Sequence, residues 1–176
     1  GQAEYEKFAP QLNKYKMKAF LPICKYSKEL ENVCKSCYFF PIVEDWSNYI
    51  REYTKLKFSF ECDKVVNAAF TSIYSIFQIA IYMGFKEIYL LGTDCTNSFT
   101  SGHFGEEYVA SDLDKVNLAR ARRTIGNPNL TLAELGEYRR ERSIMAYEKI
   151  AKYADKVGVK IYNTTRGGAL EVFPRK

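Results

Sequence analysis

The stretch TSIYSIFQIAIYMGFKEIYLLGTD, residues 71–94, gives the clearest indication of the fold class. Its first part continues a pattern that begins at residue 65, and residues 65–84 are apolar around most of a helical circumference. This pattern predicts a helix buried on several sides. Residues 86–91 follow as a nearly continuous apolar run, which is typical of a central parallel strand. A buried helix that leads directly into such a strand indicates an α/β fold.

The same alternation of elements extends to both sides of this stretch. Strands are predicted at residues 18–23, 37–43 and 159–162, and a helix at residues 134–157 that Gly158 ends. Between them lies a long polar connection with a short helix at residues 111–122. The order predicts a single Rossmann-like nucleotide-binding domain over residues 1–176, with a parallel sheet and helices on both faces.

Composition and charge limit the class of protein and its partners. The chain has 176 residues, of which 47% are hydrophobic and 27% charged, the profile of one soluble domain. Its net charge of +5 is spread out, and acidic residues interrupt the basic clusters. This argues against a nucleic-acid surface and suits a phosphate-bearing small molecule. With no signal peptide or membrane span apparent, we expect a cytoplasmic bacterial protein. Peripheral attachment to the inner membrane and oligomerisation stay open.

The five cysteines do not suggest a secreted disulfide framework, because their number is odd and their spacing irregular. Cys34 and Cys37 have CxxC spacing, but a structural zinc site normally needs a second pair of ligands. We therefore predict reduced structural thiols in preference to a metal or redox site.

Two strand ends carry polar residues suited to ligand binding. Ligands of open α/β sheets bind beyond the carboxyl ends of the strands. Asp94 follows Gly92 and Thr93 there, and its carboxylate can hold a sugar or ribose hydroxyl or a metal, or serve only as a turn residue. Residues 163–168 follow the last predicted strand, and they begin with Asn163. Arg166 and the two glycines after it can bind phosphate or simply form a turn.

Polar residues also mark the predicted buried helix. Asn67, Thr71, Ser75 and Gln78 fall on one helical stripe. If the regular helix begins near Thr71, then Thr71 and Ser72 lie in its first turn, where free N–H groups attract phosphate. The alternative is that these hydroxyls only cap the helix.

His103 is the single histidine, and it lies in a glycine-flanked stretch, residues 101–108. An imidazole there can act as a general base, although a lone loop histidine is often incidental. The sequence has no Walker phosphate loop and no GxGxxG fingerprint, which disfavours the ordinary nucleotide sites.

Residues 71–94 resemble a segment of the family 42 bacterial sialyltransferases. That family shows a Thr-Ser-Gly turn, an apolar helix, a Gly-Tyr-Lys-Glu-Ile-Tyr-Leu strand entry and then Gly-x-Asp. The stretch is also similar to the related Rossmann-like group of motility-associated factors and 6-hydroxymethylpterin diphosphokinase. Looser similarity covers the last hundred residues, including Gly102-His103-Phe104 and the ending at residues 161–175.

The resemblance implies that Thr71 and Ser72 contact a CMP-sugar donor and that Asp94 lies at the floor of the site. Ile73 stands where the family has glycine, and His103 comes earlier than the family's catalytic histidine. The family's first strand, with its nucleotide-holding loop, has no counterpart before residue 18. We therefore expect the chain to be part of a longer protein.

The expected function is transfer of a nonulosonic, sialic-type sugar from a CMP donor to a hydroxyl acceptor, without a cofactor. The residues expected to act in catalysis are His103 and Asp94. Those expected to bind substrate are Thr71, Ser72, Gly92, Thr93, Asn163 and Arg166. The alternatives are a Mg²⁺-dependent diphosphokinase of the 6-hydroxymethylpterin type and a non-catalytic Rossmann-like module.

Overall fold

The structure is a computed structural model that describes residues 10–43, 56–69, 71–96 and 112–176. Its strands are β1 (Ala19–Pro22), β2 (Cys37–Phe40), β3 (Ile42–Val43), β4 (Val66–Asn67), β5 (Glu87–Leu90) and β6 (Lys160–Asn163). Its helices include α1 (Lys28–Val33), α2 (Ser72–Tyr82), α3 (Asp112–Ile125) and α4 (Leu132–Lys156), and residues 10–14 and the short 3-10 turn Ile23–Lys25 are also helical. The predicted α/β class is confirmed in this mixture of helices and parallel strands.

The strands form three parallel pairs, β1–β2, β3–β4 and β5–β6. Parallel neighbours need a crossover connection, since a tight hairpin can join only antiparallel strands. The connection between β1 and β2 contains α1, and the one between β5 and β6 contains α3 and α4. The chain passes from β4 to β5 through α2.

Residues 36–43 connect the first two pairs. The carbonyl of Ser36 accepts a hydrogen bond from the Ala19 N–H at 2.9 Å, and that of Pro41 accepts one from the Val66 N–H at 2.7 Å. Successive carbonyls of an extended strand point to opposite edges. Since these two residues are an odd number apart, β1 and β4 lie on opposite edges of this segment.

The helix predicted at residues 65–84 is shorter than expected. Its first part is the strand β4 and a turn, and the regular helix begins at Ser72, with Thr71 as its N-cap. The prediction is wrong before Thr71 because apolar periodicity cannot separate a buried helix from a short buried strand next to it.

Gln78 explains why a polar stripe runs through this buried region. Its side chain is fully buried, and its Oε1 accepts hydrogen bonds from the N–H groups of Ser59 and Asn67, each at 3.0 Å. Its Nε2 donates to the Asn67 carbonyl at 2.7 Å and to the Tyr74 carbonyl at 3.0 Å. Gln78 therefore joins α2 to β4 and to the segment before it, and this part of the stripe is structural.

The main core lies between α2, α4 and one face of the β5–β6 pair. Its buried members include Tyr74, Phe77, Leu90, Tyr147, Ile150 and Ile161. The other face of the pair carries Tyr89, which is stacked on Tyr162 with ring centroids 5.2 Å apart and is 46% exposed. A central parallel strand is normally covered on both faces, and the exposed Tyr89 departs from that prediction.

A smaller core of Leu21, Leu30 and Cys34 lies between α1 and the β1–β2 pair. Cys34 ends α1, and it forms a disulfide with Cys37, the first residue of β2. The prediction of reduced thiols is wrong for these two cysteines. The turn at residues 35–36 places the two Cα atoms 5.6 Å apart, within the range that a disulfide spans.

The longest helix, α4, has a well-defined start. Thr131 and Glu134 form a capping box, in which the Thr131 hydroxyl accepts from the Glu134 N–H and the Glu134 carboxylate accepts from the Thr131 N–H. Among the described residues, no helix has both the length and the apolar character needed to cross a membrane.

Candidate functional site

The polar ends of β5 and β6, the two strand ends that the sequence analysis identified, lie side by side. Leu90 is the register partner of Asn163, so the chain leaves both strands at the same edge. The hydroxyl and the N–H of Thr164 both donate to the Leu90 carbonyl, at 2.6 and 2.8 Å. The Thr93 N–H donates to the Thr165 hydroxyl at 2.9 Å. The structure thus brings the two predicted polar segments into direct contact.

Gly168 is the closest point between these two segments. The N–H of the next residue, Ala169, donates to the Asp94 carbonyl at 2.6 Å. A Cβ atom on Gly168 would lie 2.6–2.8 Å from atoms of Asp94, and the glycine has a φ of +85°. Side chains are excluded here both by space and by the left-handed backbone. The close approach of the β6 loop to Asp94 therefore requires glycine.

Asp94 is partly exposed at this edge. It follows Gly92, which turns the chain with a φ of +75°, and Thr93, which is buried. Its Oδ1 accepts a hydrogen bond from the Thr96 N–H at 3.0 Å, a common carboxylate turn. Within the described residues its second carboxylate oxygen accepts no hydrogen bond. That oxygen can receive a hydroxyl of a sugar or of an acceptor.

Asn163 is 1% exposed and uses both polar atoms of its side chain within the fold. Its Nδ2 donates to the Leu170 carbonyl at 2.8 Å, and its Oδ1 accepts from the Thr165 N–H at 3.0 Å. A side chain engaged in this way shapes the loop and does not present a free group to a ligand. Asn163 therefore supports the shape of the loop after β6, in place of the direct substrate contact predicted from the sequence.

The loop after β6 contains the exposed Arg166, Gly167 and Gly168. Within the described part of the chain, the backbone N–H groups of these three residues donate no hydrogen bond, and the Arg166 guanidinium has no ion pair. Free N–H groups next to a guanidinium are the usual components of an anion site.

Arg175 is a neighbouring residue that the sequence interpretation missed. Its guanidinium donates to the carbonyls of Thr165 at 2.7 Å and Gly167 at 2.9 Å, and it pairs with the carboxylate of Glu171. Arg175 belongs to the ending at residues 161–175 that the sequence analysis pointed out. The sequence did not show that this part of the chain returns to the loop after β6.

Thr71 and Ser72 start α2, as the phosphate-binding hypothesis requires. The Thr71 hydroxyl accepts from the Ile73 N–H at 3.3 Å and lies 3.5 Å from the Tyr147 hydroxyl on α4. Ser72 is exposed in the first turn of the helix. The capping role and a binding role are compatible here, because the hydrogen bonds of Thr71 are long and Ser72 faces solvent.

Tyr147 and Cys95 connect the start of α2 with the end of β5. Burial raises the pKa of Tyr147 to about 12, its hydrogen bond with Thr71 lowers it, and the Cys95 thiol adds a smaller increase. Burial, followed by the charge of Asp94, raises the pKa of Cys95 to about 11, against an opposing effect of Arg140. Both groups are therefore protonated at neutral pH. Thr71 and Cys95 thus both lie near Tyr147, so the start of α2 and the segment after β5 are close to the same part of α4.

The remaining predicted residue, His103, lies outside the described residues. In the described ranges, no three or more His, Cys, Asp or Glu side chains are grouped so as to hold a metal ion.

The chain matches no protein-family model, no curated protein and no solved structure at a significant level. A functional proposal therefore depends on the resemblance of residues 71–94 and on the geometry of these strand and helix ends.

Proposed function

We propose that this chain is a glycosyltransferase-like domain that transfers a nonulosonic sugar from CMP to a hydroxyl acceptor, as in the family 42 sialyltransferases. The observation that carries the proposal is the position of Thr71, which is the N-cap of α2 and lies next to Tyr147 of α4. Helix α4 shares its core with Leu90, the last residue of β5. The resemblance implies that the start of α2 holds the donor and that the segment after β5, with Asp94, forms the floor of the site.

The proposed fold is a Rossmann-like parallel sheet that joins the three observed pairs. Parallel strands linked through helices cross over in a right-handed sense. In such a sheet, α2 would cross from β4 to β5 and α4 from β5 to β6. Because α2 and α4 share one core, these two crossovers would lie on the same face. Helices on both faces would also cover the face on which Tyr89 is now exposed.

The donor phosphate would be held between two groups of donors. The start of α2 offers the Thr71 and Ser72 hydroxyls and the positive end of the helix dipole. The loop after β6 offers the Arg166 guanidinium and the N–H groups of Arg166, Gly167 and Gly168, which have no acceptor among the described residues. Hydrogen-bond donors fixed before the reaction stabilise the negative charge that develops on a departing phosphate.

In the transfer step, the acceptor oxygen forms a bond to the anomeric carbon of the sugar. The bond from that carbon to the phosphate oxygen breaks, and CMP departs with the electron pair. His103 would take the acceptor's proton as general base. Asp94 would orient a hydroxyl of the sugar or of the acceptor through its free carboxylate oxygen.

The test is a CMP titration of the wild-type chain and of Thr71→Val, followed by calorimetry and by the melting temperature. We expect CMP to stabilise the wild type without Mg²⁺, because a ligand that binds only the folded state raises its melting temperature. Thr71→Val should weaken CMP binding about tenfold or more, since a hydrogen bond to a charged group is worth roughly 1.5–3 kcal/mol. The matched control is Thr124→Val on α3, which should bind CMP like the wild type.

Two other outcomes would contradict the proposal. Binding of ATP that depends on Mg²⁺, without binding of CMP, would favour the diphosphokinase. Absence of binding to CMP, CDP, ATP and GTP would favour a module without this activity.

A further inference from the structure

One arginine holds the loop after β6 through its backbone carbonyls. The Arg175 Nη1 donates to the carbonyls of Thr165 and Gly167, at 2.7 and 2.9 Å, and its Nη2 lies 3.5 Å from the carbonyl of Gly168. Three peptide units of a short loop thus turn their oxygens toward the same guanidinium.

The corresponding N–H groups must point the other way. Every peptide bond in the described chain is trans, and in a trans peptide the C=O and N–H are antiparallel. In the last of the three units the N–H belongs to Ala169, and it donates to the Asp94 carbonyl at 2.6 Å. The other two units have the N–H groups of Arg166 and Gly168, which therefore point away from Arg175 and, within the described residues, have no acceptor.

Arg175 is itself fixed by contacts on both sides. The residues next to it, Pro174 and Lys176, exchange backbone hydrogen bonds with Asn163, at 2.9 and 3.3 Å. The Glu171 carboxylate accepts from the Arg175 Nε at 3.1 Å and also pairs with its Nη2. The guanidinium is thereby oriented before any ligand is present, and its donors are used within the chain.

Without these contacts, this loop would have many conformations. Gly167 and Gly168 have φ values of +70° and +85°, and glycine loses more conformational freedom on ordering than any other residue. A loop ordered in advance binds more tightly, because the ligand does not have to order it.

We propose that Arg175 is a positioning residue, which holds the loop at residues 165–168 so that its N–H groups face an anion. The inference deepens the proposed function, on which it rests for the identity of that anion as the phosphate of a CMP donor. Arg175 acts through the loop and does not touch the anion.

The experiment follows the amide signals of Arg166, Gly167 and Gly168 by NMR, during separate titrations with inorganic phosphate and with CMP. The test variants are Arg175→Met and Arg175→Lys. Lysine keeps the charge but lacks the planar fork that reaches two carbonyls and a carboxylate together. The control, Arg120→Gln, removes an exposed arginine from α3, and the melting temperature of each variant shows whether it is folded.

We expect saturable shifts of the three amides in the wild type with both probes. Both Arg175 variants should bind each probe about tenfold or more weakly, whereas the Arg120→Gln control should stay within about twofold of the wild type. A loss in the lysine variant identifies geometry as the cause, because the net charge is unchanged. If the methionine variant fails to fold, the affinity of the folded lysine variant for each probe tests the positioning role.

Three results would overturn a part of this interpretation. Equal affinity in the wild type and in Arg175→Lys would overturn the positioning role and leave the anion site. Phosphate binding without CMP binding in the wild type would overturn the proposed function and leave the positioning role intact. If neither phosphate nor CMP shifts the amide signals of the wild type, both the positioning role and the proposed function are overturned.

Discussion

Two pairs of strands in this protein, β1–β2 and β5–β6, have nearly the same local structure but different surroundings. Both are parallel ladders of four residues on each strand. Both have a stacked aromatic pair, Phe20 with Tyr38 at 5.4 Å and Tyr89 with Tyr162 at 5.2 Å between ring centroids. The paired strands alone therefore do not distinguish a structural region from a candidate site.

The two pairs differ in the core that supports them and in the chain segments at their ends. The β1–β2 pair covers a small core and is joined to α1 by a disulfide, whereas β5–β6 shares the main core with α2 and α4. After β2, the chain continues through Pro41 into another strand, but β5 and β6 both end in glycine-containing polar loops. We infer that the larger core fixes the loops at the end of β5–β6, where the candidate site lies.

The largest effect is expected from Gly168→Ala at the end of the β5–β6 pair. Alanine costs about 1–2 kcal/mol in a left-handed backbone, and the contact with Asp94 adds a further ~1–3 kcal/mol of overpacking. The matched control is Gly167→Ala, which has a φ of +70° but no atom within 4 Å of the added Cβ. Urea unfolding should show a loss of stability that is clearly larger for Gly168→Ala. Equal losses would mean that the close contact with Asp94 contributes nothing.

An intermediate effect is expected from removing the Cys34–Cys37 disulfide, which supports the other pair. For so short a loop, the chain-entropy account gives a stabilisation of roughly 2 kcal/mol. The double variant Cys34→Ala, Cys37→Ala should lose about this amount in urea unfolding and should no longer respond to reductant. Cys24→Ala, at an exposed free cysteine, is the control and should unfold like the wild type. A loss of zero would show that the small core alone holds β1–β2.

The smallest effect is expected from alkaline pH, and it should act on the β5 end and on the buried Cys62 before β4, but not on β1–β2. The pKa of Cys95 is raised from 9.0 to about 11 and that of Tyr147 from 10.0 to about 12, in both cases mainly by burial. Above pH 9 the unfolded chain loses protons that the folded chain retains, so this contribution to stability is complete below pH 9 and declines as the pH rises toward 11.

Urea unfolding between pH 8 and 10.5 measures this decline. Cys95→Ala should make it less steep, whereas Cys24→Ala should leave it unchanged. A decline that is as steep in Cys95→Ala as in the wild type would mean that the Cys95 thiol is not the group responsible.

Apolar periodicity was sufficient to predict helices α2 and α4 and strand β5, because it depends only on neighbours along the chain. The place of the candidate site could also be predicted without coordinates. The general rule for parallel sheets indicated the strand ends as the place to look, and the register of Leu90 with Asn163 showed that the β5 and β6 ends are neighbours. The donor-binding roles of Thr71 and Ser72 stay predictions.

The use of the polar side chains, in contrast, became visible only in three dimensions. Asn163 was predicted to bind substrate and is engaged with Leu170 and Thr165, and Gln78 joins two elements that the sequence pattern had merged. Arg175 had no predicted role, yet it holds the loop beside Asp94. A side chain's partners at long range depend on where the chain returns in space. Periodicity along the sequence describes which face of an element is buried, but it cannot describe which groups meet there.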